Sequence, residues 1–163
     1  MVRIVEPDSL VDGDDWFIAH YLRTQCVYFG PQVSDQSFEK FMAQFEADIV
    51  DRPMSQRIAV LYYVPDIAAM DSPRRRQIAG VLKEQEEKLT RTTAAFCVAT
   101  RSPLVRGVLS ALFWLAPPGY PNKITNSPDE ALRFLAEHLS AVNPERIGPS
   151  FTQLLDRRAR KAS

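Results

Sequence analysis

Cysteine and histidine are scarce in this chain, each occurring only twice in 163 residues. With two histidines and no CxxC pair, the sequence lacks the ligand spacing of a structural zinc site, and no metal is assigned. Cys26 and Cys97 sit in the apolar runs Gln25-Cys26-Val27-Tyr28 and Ala95-Phe96-Cys97-Val98. There a free cysteine acts as a small hydrophobe, so both are expected as buried, unpaired thiols. Net charge is also missing, because twenty basic residues offset twenty acidic ones. That balance argues against a general nucleic-acid binder, which needs a basic footprint. It gives no bulk attraction to anionic membranes either. No run reaches 18 apolar residues, so no transmembrane segment is expected. The first eight residues carry acids and no long apolar core, which reads against a signal peptide and makes the cytoplasm the expected location.

The motifs that announce common chemistries are absent too. There is no phosphate-binding P-loop, no GxGxxG and no GxSxG nucleophile elbow. Spacing proposes no Ser–His–Asp grouping. His20 falls in a strand pattern, and His138 falls late in a helix, where it complements the dipole. Asp12, Asp14 and Asp15 surround Gly13 and read as a turn, since no downstream bidentate glutamate completes a calcium loop. No catalytic residue and no cofactor are assigned, and an enzyme is not expected.

What is present is a hydrophobic pattern of ordinary strength, with 45% apolar and 25% charged residues. A chain of this length can bury roughly 70% of its unfolded surface. Residues 2–6 alternate and predict a short strand, followed by a polar turn over residues 10–15. Residues 16–29 are rich in aromatic and β-branched types and predict one bent strand or two short ones. Ser34 then caps a helix whose inner face carries Phe38, Phe41, Met42, Phe45 and Ile49. The run Ile58-Ala59-Val60-Leu61-Tyr62-Tyr63-Val64 predicts a strand covered on both faces. Ser72 and Pro73 predict the cap and first position of a helix with Ile78, Val81, Leu82 and Leu89 inward. A strand over 94–99, a helix from Ser102-Pro103 to about Leu115, and a short edge strand over 123–125 follow. Ser127-Pro128-Asp129-Glu130 is a capping box that opens a helix carrying Ala131, Leu132, Leu135 and Leu139.

Repeated strand–helix alternation predicts an α/β fold with a mixed, mainly parallel sheet and four or more helices. Residues 1–145 are expected as a single domain. Residues 146–163 are expected as an extension, either a short helix or a flexible basic tail.

Three helices open with the same pair: Ser72-Pro73, Ser102-Pro103 and Ser127-Pro128. Each follows a strand, so their N-termini should gather at the strand C-terminal edge, where open α/β sheets place binding sites. They can form an anion site, or they can simply be good helix starts. Arg74, Arg75 and Arg76 oppose the positive end of the helix dipole. They fit an acidic partner or a phosphate, or a solvated face offset by Asp71. The segment around Leu112, Phe113, Trp114, Leu115 and Tyr120 is the most apolar. It can line a pocket for a lipid tail, form a partner surface, or be core.

The stretch Val60-Leu61-Tyr62-Tyr63-Val64-Pro65-Asp66-Ile67-Ala68-Ala69-Met70-Asp71-Ser72-Pro73 resembles the central signature of STAS domains, the SpoIIAA-like anti-sigma-factor antagonists. Phe29-Gly30-Pro31-Gln32-Val33-Ser34 is similar to the family's turn before its first helix. The phosphorylated serine of the antagonists corresponds to Pro73, and Ser72 corresponds to the residue before it. The resemblance implies a SpoIIAA-like fold and a non-catalytic signalling or scaffold module with a protein partner. Its working surface would hold Asp66, Asp71, Ser72, Arg74, Arg75, Arg76, Arg101 and Ser102. Some bacterial STAS/SEC14-like proteins belong to the same broader group. That likeness implies, as the alternative, a small hydrophobic or lipid ligand held by Val108, Leu112, Trp114 and Tyr120.

Overall fold

The computed structural model describes residues 4–66 and 71–163. Its strands are β1 (Ser9–Gly13), β2 (Trp16–Tyr21), β3 (Thr24–Phe29), β4 (Ile58–Tyr63), β5 (Thr93–Ala99) and β6 (Asn122–Thr125). Its helices are α1 (Asp35–Val50), α2 (Ser72–Glu84), α3 (Glu86–Thr92), α4 (Pro103–Leu115), α5 (Pro128–His138) and α6 (Pro144–Ala162). The six strands form one mixed sheet in chain order. The pairs β1–β2 and β2–β3 are antiparallel, and β3–β4, β4–β5 and β5–β6 are parallel.

Residues 16–29 form a hairpin, with Leu22 at φ 52° in its turn. This is the two-strand form of the expectation. The strand expected at residues 2–6 is not seen at Ile4–Glu6, and residues 1–3 lie outside the described residues. The first strand is β1 instead, in a segment expected to be a turn. Its sequence Ser-Leu-Val-Asp-Gly has little strand character of its own. The paired surface of β2 supplies the template, from Ser9 opposite His20 to Gly13 opposite Trp16.

Two cores flank the sheet. On one face α1 brings Phe38, Phe41, Phe45 and Ile49 against Trp16, Ile18, Val27 and Phe29. The Phe29 and Phe41 rings meet edge to face at 5.0 Å. Leu89 of α3 is buried in this core, with Ile78 and Val81 of α2 packed against it. The single helix expected after residue 72 is broken at Gln85, and Leu82 is turned out to 38% exposure. α4 lies on the same face, its Phe113 ring 6.2 Å from Phe96 of β5. Crossovers that all keep to one face are what right-handed β–α–β connections give when the strands run in chain order.

The opposite core is built by α5 and α6. Ala131, Leu132 and Leu135 join Ile147, Phe151 and Leu154 over Phe17, Leu61, Ala95 and Cys97. Residues 146–163, expected as an extension or tail, thus lie almost entirely in a 19-residue helix whose inner stripe is core. Within this core, Tyr21 and Ser150 share a buried hydroxyl–hydroxyl hydrogen bond of 2.7 Å.

Candidate functional site

The parallel strands β3 to β6 end along one edge, and α1, α2, α4 and α5 begin there. The turn between β1 and β2 joins this edge because Trp16 lies opposite Phe29. Three of the helix starts have their expected caps. Ser34, Ser102 and Ser127 accept from the amides of Ser37, Val105 and Glu130. At α2 the cap is Asp71 rather than Ser72. Its carboxylate accepts from the Arg74 amide at 3.0 Å, leaving Ser72 and Pro73 as the first two helical residues. A carboxylate is the better occupant, because it faces the positive end of the helix dipole.

The three arginines of α2 separate. Arg74 is buried and donates to the Val33 carbonyl at 2.9 Å and to Asp35 at 2.8 Å. Its guanidinium also sits 4.9 Å over the Phe38 ring. It ties the start of α2 to the start of α1. Arg75 and Arg76 are exposed, and Arg75 donates to Ser72 Oγ at 2.9 Å. Arg101 and Asp66 are exposed on the neighbouring strand ends. Val64 N donates to the Ala99 carbonyl, which places these two loops side by side. Buried Thr100 steadies the second loop by accepting from the Ser102 amide. Residues 67–70 of the STAS-like segment lie outside the described residues.

At the β1–β2 turn, acids serve structure. Asp14 accepts from Ser34 Oγ at 2.6 Å, and Asp15 accepts from Tyr28 Oη at 3.0 Å and the Gln32 amide at 2.7 Å. Desolvation works to raise the Asp14 pKa, but hydrogen bonds from Ser34 and Ser37 and the charge of Arg158 hold it below the ordinary value. Gly30 is required here, since a Cβ would come within 2.3 Å of the Asp15 carboxylate. Arg158 of α6 closes the turn by donating through both terminal nitrogens to the Gly13 carbonyl at 2.9 Å. Among the described residues no group of three His, Cys, Asp or Glu side chains could hold a metal.

α4 departs most from the core reading. Of its buried residues there is only Val105. Leu104 is 63% exposed, Leu115 74% and Trp114 83%, and Leu112 is exposed as well. Val108 is half-buried and Ala111 exposed. Leu104, Val108, Ala111 and Leu115 follow at spacings of four, three and four, which lines them up along one side of the helix. Arg106 is the one charged residue of this helix, and it reaches back to Asn126 Oδ1.

The hydrophobic-ligand residues expected from the sequence do not converge. Tyr120 packs 6.4 Å from Phe96 and lines a pocket beneath α2 and α3, while Leu112 and Trp114 point to solvent. That pocket holds about 30 Å³. A groove of about 500 Å³ lies on the other face, lined by Asp129, Gly148, Thr152, Asp156 and Arg160. Neither is lined by α4.

One hydroxyl–imidazole–carboxylate line does occur. Ser9 Oγ lies 3.0 Å from His20 Nδ1, and Asp48 Oδ2 lies 3.8 Å from His20 Nε2. The second distance is too long for a hydrogen bond. The Gln25 amide takes Asp48 instead, at 3.1 Å. Ser9 and His20 are simply opposite residues on β1 and β2, and neither lines the pocket or the groove. The base is therefore not oriented by its acid as a nucleophilic triad requires. Both cysteines are buried and free, and burial pushes the Cys97 thiol up to about 11. Among the described residues no helix is long and apolar enough to cross a membrane.

Comparison with models of known families, with curated proteins and with solved structures returned no match.

Proposed function

We propose that this chain is a non-catalytic, STAS-like interaction module whose partner is a protein carrying an amphipathic, acidic helix. The observation that carries this reading is the outward face of α4. Leu104, Leu115 and Trp114 are mostly exposed on a helix whose inner face is already satisfied. Fully covering a side chain of this size contributes about 1.5–3 kcal/mol before the costs of association. The seam Leu104, Val108, Ala111, Leu115 has the spacing that a second helix packs against.

Charge favours an acidic partner. Arg75 and Arg76 are exposed in the first turn of α2, and Arg101 is exposed on the loop just before α4. Local charge of this kind steers and orients an encounter even when the net charge is zero. The surface expected around Ser72 and Ser102 thus continues into the apolar seam, and the two together make a polar rim and an apolar centre.

Native co-purification from the cells of origin tests this reading, using wild type, Leu104→Glu/Leu115→Glu and Arg75→Glu/Arg76→Glu. One protein at stoichiometric ratio with wild type, lost with the seam variant and weakened with the arginine variant, is the expected result. A partner retained by both variants sinks the proposal. So does a wild-type chain that pairs only with itself, or that sediments with phosphatidylcholine vesicles through α4.

A further inference from the structure

The pocket between the end of α1, the α2–α3 pair and the sheet is lined by a buried cation, Arg52, that makes no ion pair among the described residues. Arg52 is 8% exposed. Among the described residues its one side-chain hydrogen bond runs from Nη1 to Thr92 Oγ1 at 3.2 Å. Among the described residues no carboxylate lies within ion-pair distance of it. A guanidinium carries five N–H donors, and Arg52 lines the pocket. Burial lowers the Arg52 pKa, with opposing contributions from Tyr62, Asp48 and Tyr120. Asp48 is the acid nearest in effect, but its oxygens accept from Gln25 and Gln44, and His20 stands beside it.

A second polar group lines the same space and is unpaired. Thr93, 2% exposed, lines the pocket, and its Oγ1 has no hydrogen-bond partner. Buried polar groups are normally satisfied, and a buried charge without a partner is costly. Here a buried cation with no ion pair among the described residues and an unpaired buried hydroxyl, on different elements, line one cavity of about 30 Å³. That space holds a water or two, or the two oxygens of a carboxylate. Arg52 can only donate, so the site matches an acceptor-only group better than a water, which must also place its own hydrogens. The remaining walls are apolar side chains together with Gln25, Tyr62 and Tyr120. Leu89 and Phe96 line the inside, and Leu82, itself 38% exposed, marks the opening to solvent.

We propose that this pocket is a receptor for the carboxylate end of a small apolar acid, with Arg52 as counter-ion and Thr93 as the second donor. The head group fills the enclosed space, and the apolar body leaves past Leu82. The site lies beneath α2 and α3, separate from the α4 seam, and stands independently of the partner proposed there.

The probe is hexanoate, titrated into the full chain and followed by amide NMR shifts. Hexan-1-ol and sodium chloride at matched concentrations are the controls. Saturable shifts at Leu82, Leu89 and Thr93 with hexanoate alone are expected. Thr93→Val should weaken the affinity about ten- to hundredfold, the loss of one hydrogen bond to a charged group. The same variant should unfold no earlier than wild type, because it removes an unpaired buried hydroxyl. Arg52→Gln, if folded, should abolish saturation. An equal response to hexan-1-ol, no saturable response to hexanoate, or an unchanged affinity in Thr93→Val overturns the proposal.

Discussion

Replacing Phe151 by alanine tests whether the last helix is part of the folding unit. The side chain is 0% exposed and sits at the centre of the α5–α6 core. Its ring lies 5.5 Å from Phe17 on β2 and 6.5 Å from Tyr63 on β4, both in edge-to-face geometry. Removing a fully buried phenylalanine costs about 3–5 kcal/mol, as transfer free energy plus the cavity left behind. Set against a total stability of about 5–15 kcal/mol, that is a large fraction. For a domain of this size each kcal/mol moves the thermal midpoint by about 2–4 °C, so Phe151→Ala should lower it by roughly 6–20 °C. Urea and thermal unfolding followed by far-UV circular dichroism would measure both quantities. A residue on a detachable extension would change stability by about 0.5 kcal/mol or less. A loss below about 1 kcal/mol would refute the placement of α6 in the core, since no tightly packed phenylalanine is removed so cheaply.

Three further predictions follow from individual side chains. Burial, opposed by the Ser150 hydrogen bond, pushes the Tyr21 phenol up to about 12 from an ordinary 10. The unfolded chain therefore ionises first, and about 2–3 kcal/mol present below pH 10 is lost as pH rises to 12. Urea titrations across that range should show a shallower decline in Tyr21→Phe than in wild type, and parallel declines would refute the assignment. Cys97, raised to about 11, and fully buried Cys26 should react with an aromatic disulfide reagent at neutral pH only as fast as the chain unfolds. Thiol release faster than unfolding would show that either sulfur is accessible. Leu115→Glu, at a side chain 74% exposed, should change unfolding free energy by about 0.5 kcal/mol or less. A larger loss would mean that the chain itself covers α4.

Much of the architecture was legible in the sequence because local and global signals agree there. Ile58 to Tyr63 and Ala94 to Ala99 read as buried strands since both faces of the sheet are covered. α1 and α5 were marked by Ser34 and Ser127 and by their apolar spacing. β1 was hidden because an edge strand takes its conformation from its neighbour rather than from its own residues. Asp71 and Ser72 are both good caps, and proline is tolerated at either of the first two helical positions, so the sequence does not choose between them. α6 was masked by Gly148 and Pro149 in its interior, although Ile147, Phe151 and Leu154 keep a helical spacing.

The site was legible in part for the same reason. The strand-end location follows from topology, but adjacency in sequence made one patch of Arg74, Arg75 and Arg76. Successive helical residues point about 100° apart, and the structure accordingly turns Arg74 inward and the others out. The apolar character of α4 was evident, whereas its exposure depends on what the remaining helices already cover. Arg52 carried no signal at all, being a lone cation between a helix end and a proline.

The two tryptophans stand at opposite extremes. Trp16 is 1% exposed, with its indole N–H donating to Ser37, and Trp114 is 83% exposed at the end of α4. The chain therefore carries two intrinsic fluorophores with separate reports. Trp16 emits from an apolar setting that collisional quenchers do not reach until the fold opens. Trp114 emits from water and is quenched freely, and its spectrum moves to shorter wavelength when something settles on α4. Unfolding and docking can thus be read in one cuvette, without a label, from the same protein.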